Sequence, residues 1–84
     1  MIYTVSWTAL ALQKLAEIWL NSKNRKGITV ASYEIDKLLR DDPDLLGKHR
    51  YDTVREFYYP PLGIEFEVIE DDRIVQVLSV WEVH

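Results

Sequence analysis

The sequence contains no cysteine, so neither a disulfide nor a thiolate metal site can hold the chain together. Its three glycines are scattered and form no glycine-rich loop of the kind that binds phosphate. Its two histidines, His49 and His84, are far apart in sequence and belong to no histidine- or cysteine-rich ligand motif, and we expect neither a metal site nor a cofactor. Stability must therefore come from packing of the core, or in part from a partner.

Long apolar runs are also missing. None approaches the roughly 20 residues that a helix needs to cross a bilayer, and the N-terminus lacks the pattern of a signal peptide. We therefore expect a cytoplasmic protein without membrane contact. The net charge is −4, with 14 acidic and 10 basic residues, so a basic face for a phosphate backbone could only be local.

The composition is nevertheless that of an ordinary globular protein. Of the 84 residues, 48% are hydrophobic and 29% are charged, which argues against disorder. A chain of this length is expected to form one domain, here residues 1–84. Such a domain buries roughly 60–65% of the surface of its unfolded chain, so the core is modest.

Two helices are predicted in the first half of the chain. Ala9 to about Asn21 has the broad apolar stripe of an amphipathic helix, and Ser6 or Thr8 could cap its N-terminus. The polar segment 21–27 is expected to connect it to a second helix, from about Thr29 to Arg40. With a strand before the helices and three after them, the order β-α-α-β-β-β predicts an α+β fold, a helical hairpin on an antiparallel sheet.

The closing hairpin has the strongest strand pattern. Its first strand, 64–69, alternates apolar residues with glutamates, and residues 70–73 form a polar turn. In the last strand, strict alternation places Val75, Val77 and Trp81 on one face and other apolar residues on the opposite face. Because two helices cover only one face, we predict a partner-binding surface at Val75, Val77 and Trp81. The alternative is a central strand whose second face is covered by the 58–62 loop and the termini.

One cluster of residues has the chemistry that cleavage of RNA by its own 2′-hydroxyl needs. That reaction requires a base, a proton donor and cations for the phosphorane charge, while aromatic rings can hold splayed bases. The members of the cluster are Lys48, His49, Arg50, Tyr51, Arg55, Tyr58 and Tyr59. The alternative is that Arg55 pairs with an acid, that the other cations are solvated and that the tyrosines pack.

Several short segments between Ile2 and Val83 follow a characteristic order and spacing. They are YTVSWT (3–8), ALQKL (11–15), IDKLL (35–39), DP (42–43), VREF (54–57), IEFEV (64–68) and VLSV (77–80). Together they resemble the RelE/ParE toxin superfamily of type II toxin–antitoxin systems, which includes proteins labelled plasmid stabilisation factors. The resemblance implies a toxin that a cognate antitoxin wraps and keeps inactive.

The two branches of that superfamily imply different activities. RelE-like toxins cleave mRNA on the ribosome without a metal, and ParE-like toxins inhibit DNA gyrase. Arg55 matches the arginine that contacts the scissile phosphate in the nuclease branch. Other positions depart from that branch: Gly63 stands where a basic residue is common, and Glu65 and Glu67 add negative charge. We therefore expect a ParE-like toxin and lean against an enzyme.

Two alternatives stay open at this point. A RelE-like endoribonuclease would use Arg55, His49 and His84 as catalytic residues. Its RNA- or target-binding residues would be Lys48, Arg50, Tyr58 and Tyr59. The other alternative is a non-toxic binding module, for example a homodimer formed through the last strand.

Overall fold

The computed structural model describes residues 2–83, which form five strands, two α-helices and one short 3-10 helix. In chain order these are β1 (Thr4–Trp7), α1 (Ala9–Asn21), α2 (Arg25–Asp41), the 3-10 helix (Pro43–Leu45), β2 (Lys48–Tyr51), β3 (Val54–Tyr59), β4 (Leu62–Ile69) and β5 (Ile74–Glu82). The helices pack on one face of a single sheet, which confirms the predicted α+β fold. None of the described helices is both long and apolar enough to cross a membrane.

The strand order in the sheet is β1-β5-β4-β3-β2. The pairs from β5 to β2 are antiparallel, as expected, but β1 runs parallel to β5 and makes the sheet mixed. Strand β5 is therefore paired with β4 along its length and with β1 over Ile74 to Val77. Strand addition by a second copy is thus blocked along the first half of β5, and a homodimer through the last strand stays a prediction.

The ends of the helices follow from side-chain caps. Thr8 Oγ1 accepts a hydrogen bond from the Ala11 backbone N–H at 3.1 Å, and α1 spans the predicted residues. Helix α2 begins four residues before the predicted Thr29, because Asn24 Oδ1 accepts from the Gly27 N–H at 3.1 Å. The segment predicted as a connection thus contains the first turn of α2.

Arg25 joins the end of α1 to the start of α2. Its Nε donates to the Trp19 carbonyl at 3.1 Å and its Nη2 to the Leu20 carbonyl at 2.8 Å. These carbonyls belong to the last turn of α1, where backbone acceptors have no partner within the helix. The guanidinium also lies 4.8 Å from the centre of the Trp19 ring, so Arg25 is structural rather than simply solvated.

The core lies between the helices and the sheet. Its largest fully buried side chains are Ile28, Ile35 and Leu39 of α2, with Leu62, Ile64 and Phe66 of β4 and Val75 and Val77 of β5. Val80 is also buried in this cluster. Residues on the same face of β3 and β1, including Phe57, Tyr59, Val5 and Trp7, are partly buried around it.

A β-bulge in β5 changes which residues face the core. Glu65 is opposite Ser79 and Phe66 is opposite Val77, so Leu78 is an extra residue in the ladder. Beyond the bulge the alternation is inverted: Val80 joins Val77 in the core, and Trp81 lies on the opposite face. The prediction that Val75, Val77 and Trp81 share one exposed face is therefore wrong. Val75 and Val77 are fully buried and cannot contact a partner in this fold.

Candidate functional site

The sheet face opposite the helices, here called the open face, carries a polar cluster built from four neighbouring strands. Residues paired across an antiparallel ladder point to the same side, which places Glu56, Glu65 and Ser79 in one row. Arg50 from β2 extends over this row, and the pair Gly63–Trp81 forms the next row towards the end of the sheet. The open face thus combines charge in its middle with aromatic side chains at one end.

Arg50 is held by two carboxylates. Its Nη1 lies 2.5 Å from Glu56 Oε2 and its Nε lies 3.0 Å from Glu65 Oε2. The acids are the more buried partners, since the side chains of Glu65 and Glu56 are 16% and 24% exposed and that of Arg50 is 48% exposed. The guanidinium therefore lies over the carboxylates and shields them from solvent.

The electrostatics of the cluster depend on both acids. Glu65 first, and then Glu56 through its hydrogen bond, raise the pKa of Arg50 above its ordinary value. Glu65 is fixed further by Ser79, whose hydroxyl donates to Oε1 at 2.8 Å. Without a cation, the directly opposed Glu56 and Glu65 would repel each other across the β3–β4 ladder. Arg50 is thus engaged in neutralising its own neighbours.

The aromatic end of the open face is formed by Tyr58 and Trp81. Their rings meet edge to face, with centroids 5.8 Å apart and planes at 77°. The neighbouring Glu56 carboxylate, through hydrogen bonding, raises the pKa of Tyr58, and partial burial raises it further. A shallow cavity of about 390 Å³ lies between this aromatic pair and the residues Arg50, Glu65 and Ser79. The cavity could bind a small planar or polar group. Arg50, the one cation among the residues that line it, is already paired with Glu56 and Glu65.

The residues predicted for RNA cleavage do not meet in one place. Arg55 is the register partner of Phe66 and so lies on the helix side of the sheet, where its Nε donates to the Leu46 carbonyl at 2.9 Å. His49 is opposite Arg55, and its Nε2 lies 2.7 Å from the Asp52 carbonyl oxygen. Arg50 and Tyr58 lie on the open face instead. The predicted cations and proton donors are therefore divided between two faces.

The remaining predicted residues are similarly dispersed. By register Lys48 is opposite Glu56 and belongs to the open face, whereas Tyr59 is opposite the buried Leu62 and faces α2. His84 lies outside the described residues. Within residues 2–83, no group of three or more acidic or histidine side chains is arranged to hold a metal ion.

A second surface, which the sequence did not reveal, is an apolar groove between the two helices. Here called the inter-helix groove, it has a volume of about 360 Å³ and is lined by Trp7, Leu12, Leu15, Ser32, Tyr33, Asp36 and Arg40. Leu12 is 53% exposed and Tyr33 is 72% exposed. An ion pair between Asp36 and Arg40 closes one side of the groove. The exposed apolar residues are typical of a surface that packs on another chain.

The same arrangement of elements occurs in solved toxin structures. The chain is similar to one in the RelBE2 toxin–antitoxin complex of Mycobacterium tuberculosis, with a TM-score of 0.80, 16% identity, and coverage of 98% of this chain and 92% of the other. It is also similar to a chain of the chromosomal ParDE system of P. aeruginosa, with a TM-score of 0.67, 17% identity and coverage of 99% of this chain and 98% of the other. For the isolated Escherichia coli RelE toxin the TM-score is 0.63, the identity 15% and the coverage 98% and 85%.

This chain has the RelE/ParE toxin fold. The likeness extends over nearly its whole length, as the order and spacing of the sequence segments predicted. No protein-family model and no curated protein matches the sequence. The RelE/ParE fold therefore stands on the arrangement of helices and strands, and the activity must be inferred from the open face and the inter-helix groove.

Proposed function

We propose that this protein is the toxin of a type II toxin–antitoxin pair, kept inactive by a cognate antitoxin, and that it inhibits a target by binding rather than by cleaving mRNA. The fold supports the first part, because similar chains occur in the RelBE2 and ParDE toxin–antitoxin systems. A target such as DNA gyrase is what the ParE-like branch implies.

The inter-helix groove is the surface we assign to the antitoxin. Leu12 and Tyr33 are exposed on its two walls, and burial of the exposed half of a leucine side chain such as Leu12 contributes roughly 1 kcal/mol. The Asp36–Arg40 pair at its margin offers polar groups that can fix the register of a bound segment. An amphipathic antitoxin segment with apolar residues on one side matches this combination.

The observation that supports target binding over cleavage is the separation of the cationic side chains. Catalysis of RNA cleavage needs proton transfer and charge stabilisation at the same phosphate. Arg50 is paired with Glu56 and Glu65 on the open face, while Arg55 holds the Leu46 carbonyl on the other side of the sheet. A single phosphate cannot reach both guanidinium groups.

The antitoxin part of the proposal is tested with purified proteins. The product of a short reading frame adjacent to this gene should form a stable complex with the chain, measured by titration calorimetry. Leu12→Asp should weaken that complex at least about tenfold, whereas Leu10→Asp should not, since Leu10 is 76% exposed on α1 but does not line the groove. Equal loss in both variants would contradict the assignment of the groove.

The mode of action is tested by comparing two readouts after induction in a bacterial host. Mapping of mRNA 5′ ends should show no new cleavage sites, and plasmid supercoiling should relax if the target is gyrase. New mRNA ends that disappear in an Arg55→Ala variant would favour the RelE-like alternative instead.

A further inference from the structure

We infer that Glu56 and Glu65 are specificity-determining residues of the open face: they occupy Arg50 in place of an anionic ligand and so exclude polyanions such as single-stranded RNA. The inference goes beyond the proposed function, because it concerns binding by the isolated chain and holds whether or not the protein is a toxin.

The first argument is the geometry around Arg50. A guanidinium presents its donors as a planar fork that fits the oxygens of carboxylate and phosphate in the same way. Glu56 Oε2 and Glu65 Oε2 lie at 2.5 Å and 3.0 Å from two different nitrogens of this fork. The Nη2 donors are not engaged by either carboxylate, but each of the two donor edges of the guanidinium has one nitrogen already paired, so a phosphate that binds Arg50 bidentately must compete with Glu56 or Glu65.

The second argument is the cost of that displacement. Glu56 and Glu65 are register partners on adjacent strands, and they are less exposed than Arg50. If Arg50 moves to a phosphate, two opposed carboxylates lose the cation between them. Ser79 donates to Glu65 Oε1, so rotation of this carboxylate away from Glu56 would also break that hydrogen bond.

The third argument is the charge that a polyanion meets. The cations Lys48 and Arg50 stand against three acids on this face, Glu56, Glu65 and Glu67, which gives these rows a formal charge of −1. Nucleic-acid affinity depends mainly on cations that neutralise phosphates. The open face therefore selects against a polyanion even though an arginine, a lysine and two aromatic rings are present.

The experiment measures binding of a labelled single-stranded oligouridylate by fluorescence anisotropy at low salt. The double variant Glu56→Gln with Glu65→Gln should bind at least about tenfold tighter than the wild type, because it frees Arg50. The matched control is Glu67→Gln with Asp71→Asn, which removes the same charge but leaves Arg50 paired; it should gain less than about threefold. Adding Arg50→Gln to the first pair should abolish its gain.

Two results would overturn the inference. One is equal binding by the two double variants, which would mean that only the total charge matters. The other is a gain that persists after Arg50→Gln. If the double variant fails to fold, as judged by circular dichroism, the Arg50 Nε–H resonance of the wild type is followed during titration with inorganic phosphate. It should not shift; a phosphate-dependent shift would show that the carboxylates do not protect Arg50.

Discussion

The indole of Trp81 lies directly against Gly63, so that a Cβ atom at residue 63 would come within 2.6 Å of Trp81 Nε1. The two residues are register partners on β4 and β5, and the contact fixes the indole flat on the open face. Gly63 stands where a basic residue is common in the nuclease branch. Its lack of a side chain leaves space for the indole ring of Trp81.

Gly63→Ala should therefore destabilise the protein. We expect a loss of about 1–3 kcal/mol in the free energy of unfolding, as for other overpacked sites, measured by urea denaturation. In a Trp81→Ala background the same substitution should cost much less, because the clashing ring is gone. An equal cost in both backgrounds would contradict this contact.

Arg25→Ala should loosen the junction between the helices. The substitution leaves the Trp19 and Leu20 carbonyls of α1 without their donor and removes the contact with the Trp19 ring. We expect a loss of about 1 kcal/mol in unfolding free energy. Lys26→Ala, at the exposed next residue, serves as the control and should change stability by less than about 0.5 kcal/mol.

Val77→Ala should behave as a core substitution and not as an interface substitution. Removing two buried methyl groups from a fully buried site should cost about 2 kcal/mol of unfolding free energy. Affinity for the antitoxin, measured well below the melting temperature, should remain within about twofold of the wild type. A large loss of affinity with little loss of stability would instead place Val77 at the interface.

Glu56→Gln should lower the pKa of Tyr58. The carboxylate of Glu56 favours the neutral phenol and raises its pKa, so its removal makes the tyrosinate easier to form. The shift is measured by alkaline titration of ring resonances in nuclear magnetic resonance spectra. Glu67→Gln, on the same face, should leave the Tyr58 titration nearly unchanged; equal shifts would argue for a general effect of charge.

Much of the fold could be predicted because its signals are local. The apolar stripe and Thr8 gave the bounds of α1, and the alternation of Ile64, Glu65 and Phe66 gave the orientation of β4. The predicted start of α2 at Thr29 is four residues late, because the polar segment 21–27 favours a connection, whereas Asn24 caps a helical turn inside it. The Asn24 cap thus outweighs the low helix propensity of this polar, glycine-containing segment.

The faces of β5 could not be predicted, because a bulge depends on the partner strand. Leu78 has no sequence feature that marks it as the extra residue, yet it exchanges the sides of Val80 and Trp81. The contacts within the candidate site could not be predicted for a related reason. Arg50 and Tyr58 line the same cavity on the open face, but the contacts of Arg50 with Glu56 and Glu65 depend on the register of three strands, which the sequence does not show.

The most direct test of the central claim is a count of viable cells after induction of this chain in a bacterial host, with and without the adjacent short reading frame. If the chain is a toxin that the partner neutralises, the number of viable cells should fall at least about a hundredfold without the partner. Co-expression of the partner should restore nearly all of them. Leu12→Asp should remain toxic but escape rescue, whereas Leu10→Asp should be rescued like the wild type. Normal growth without the partner, at confirmed expression of folded protein, would contradict the account.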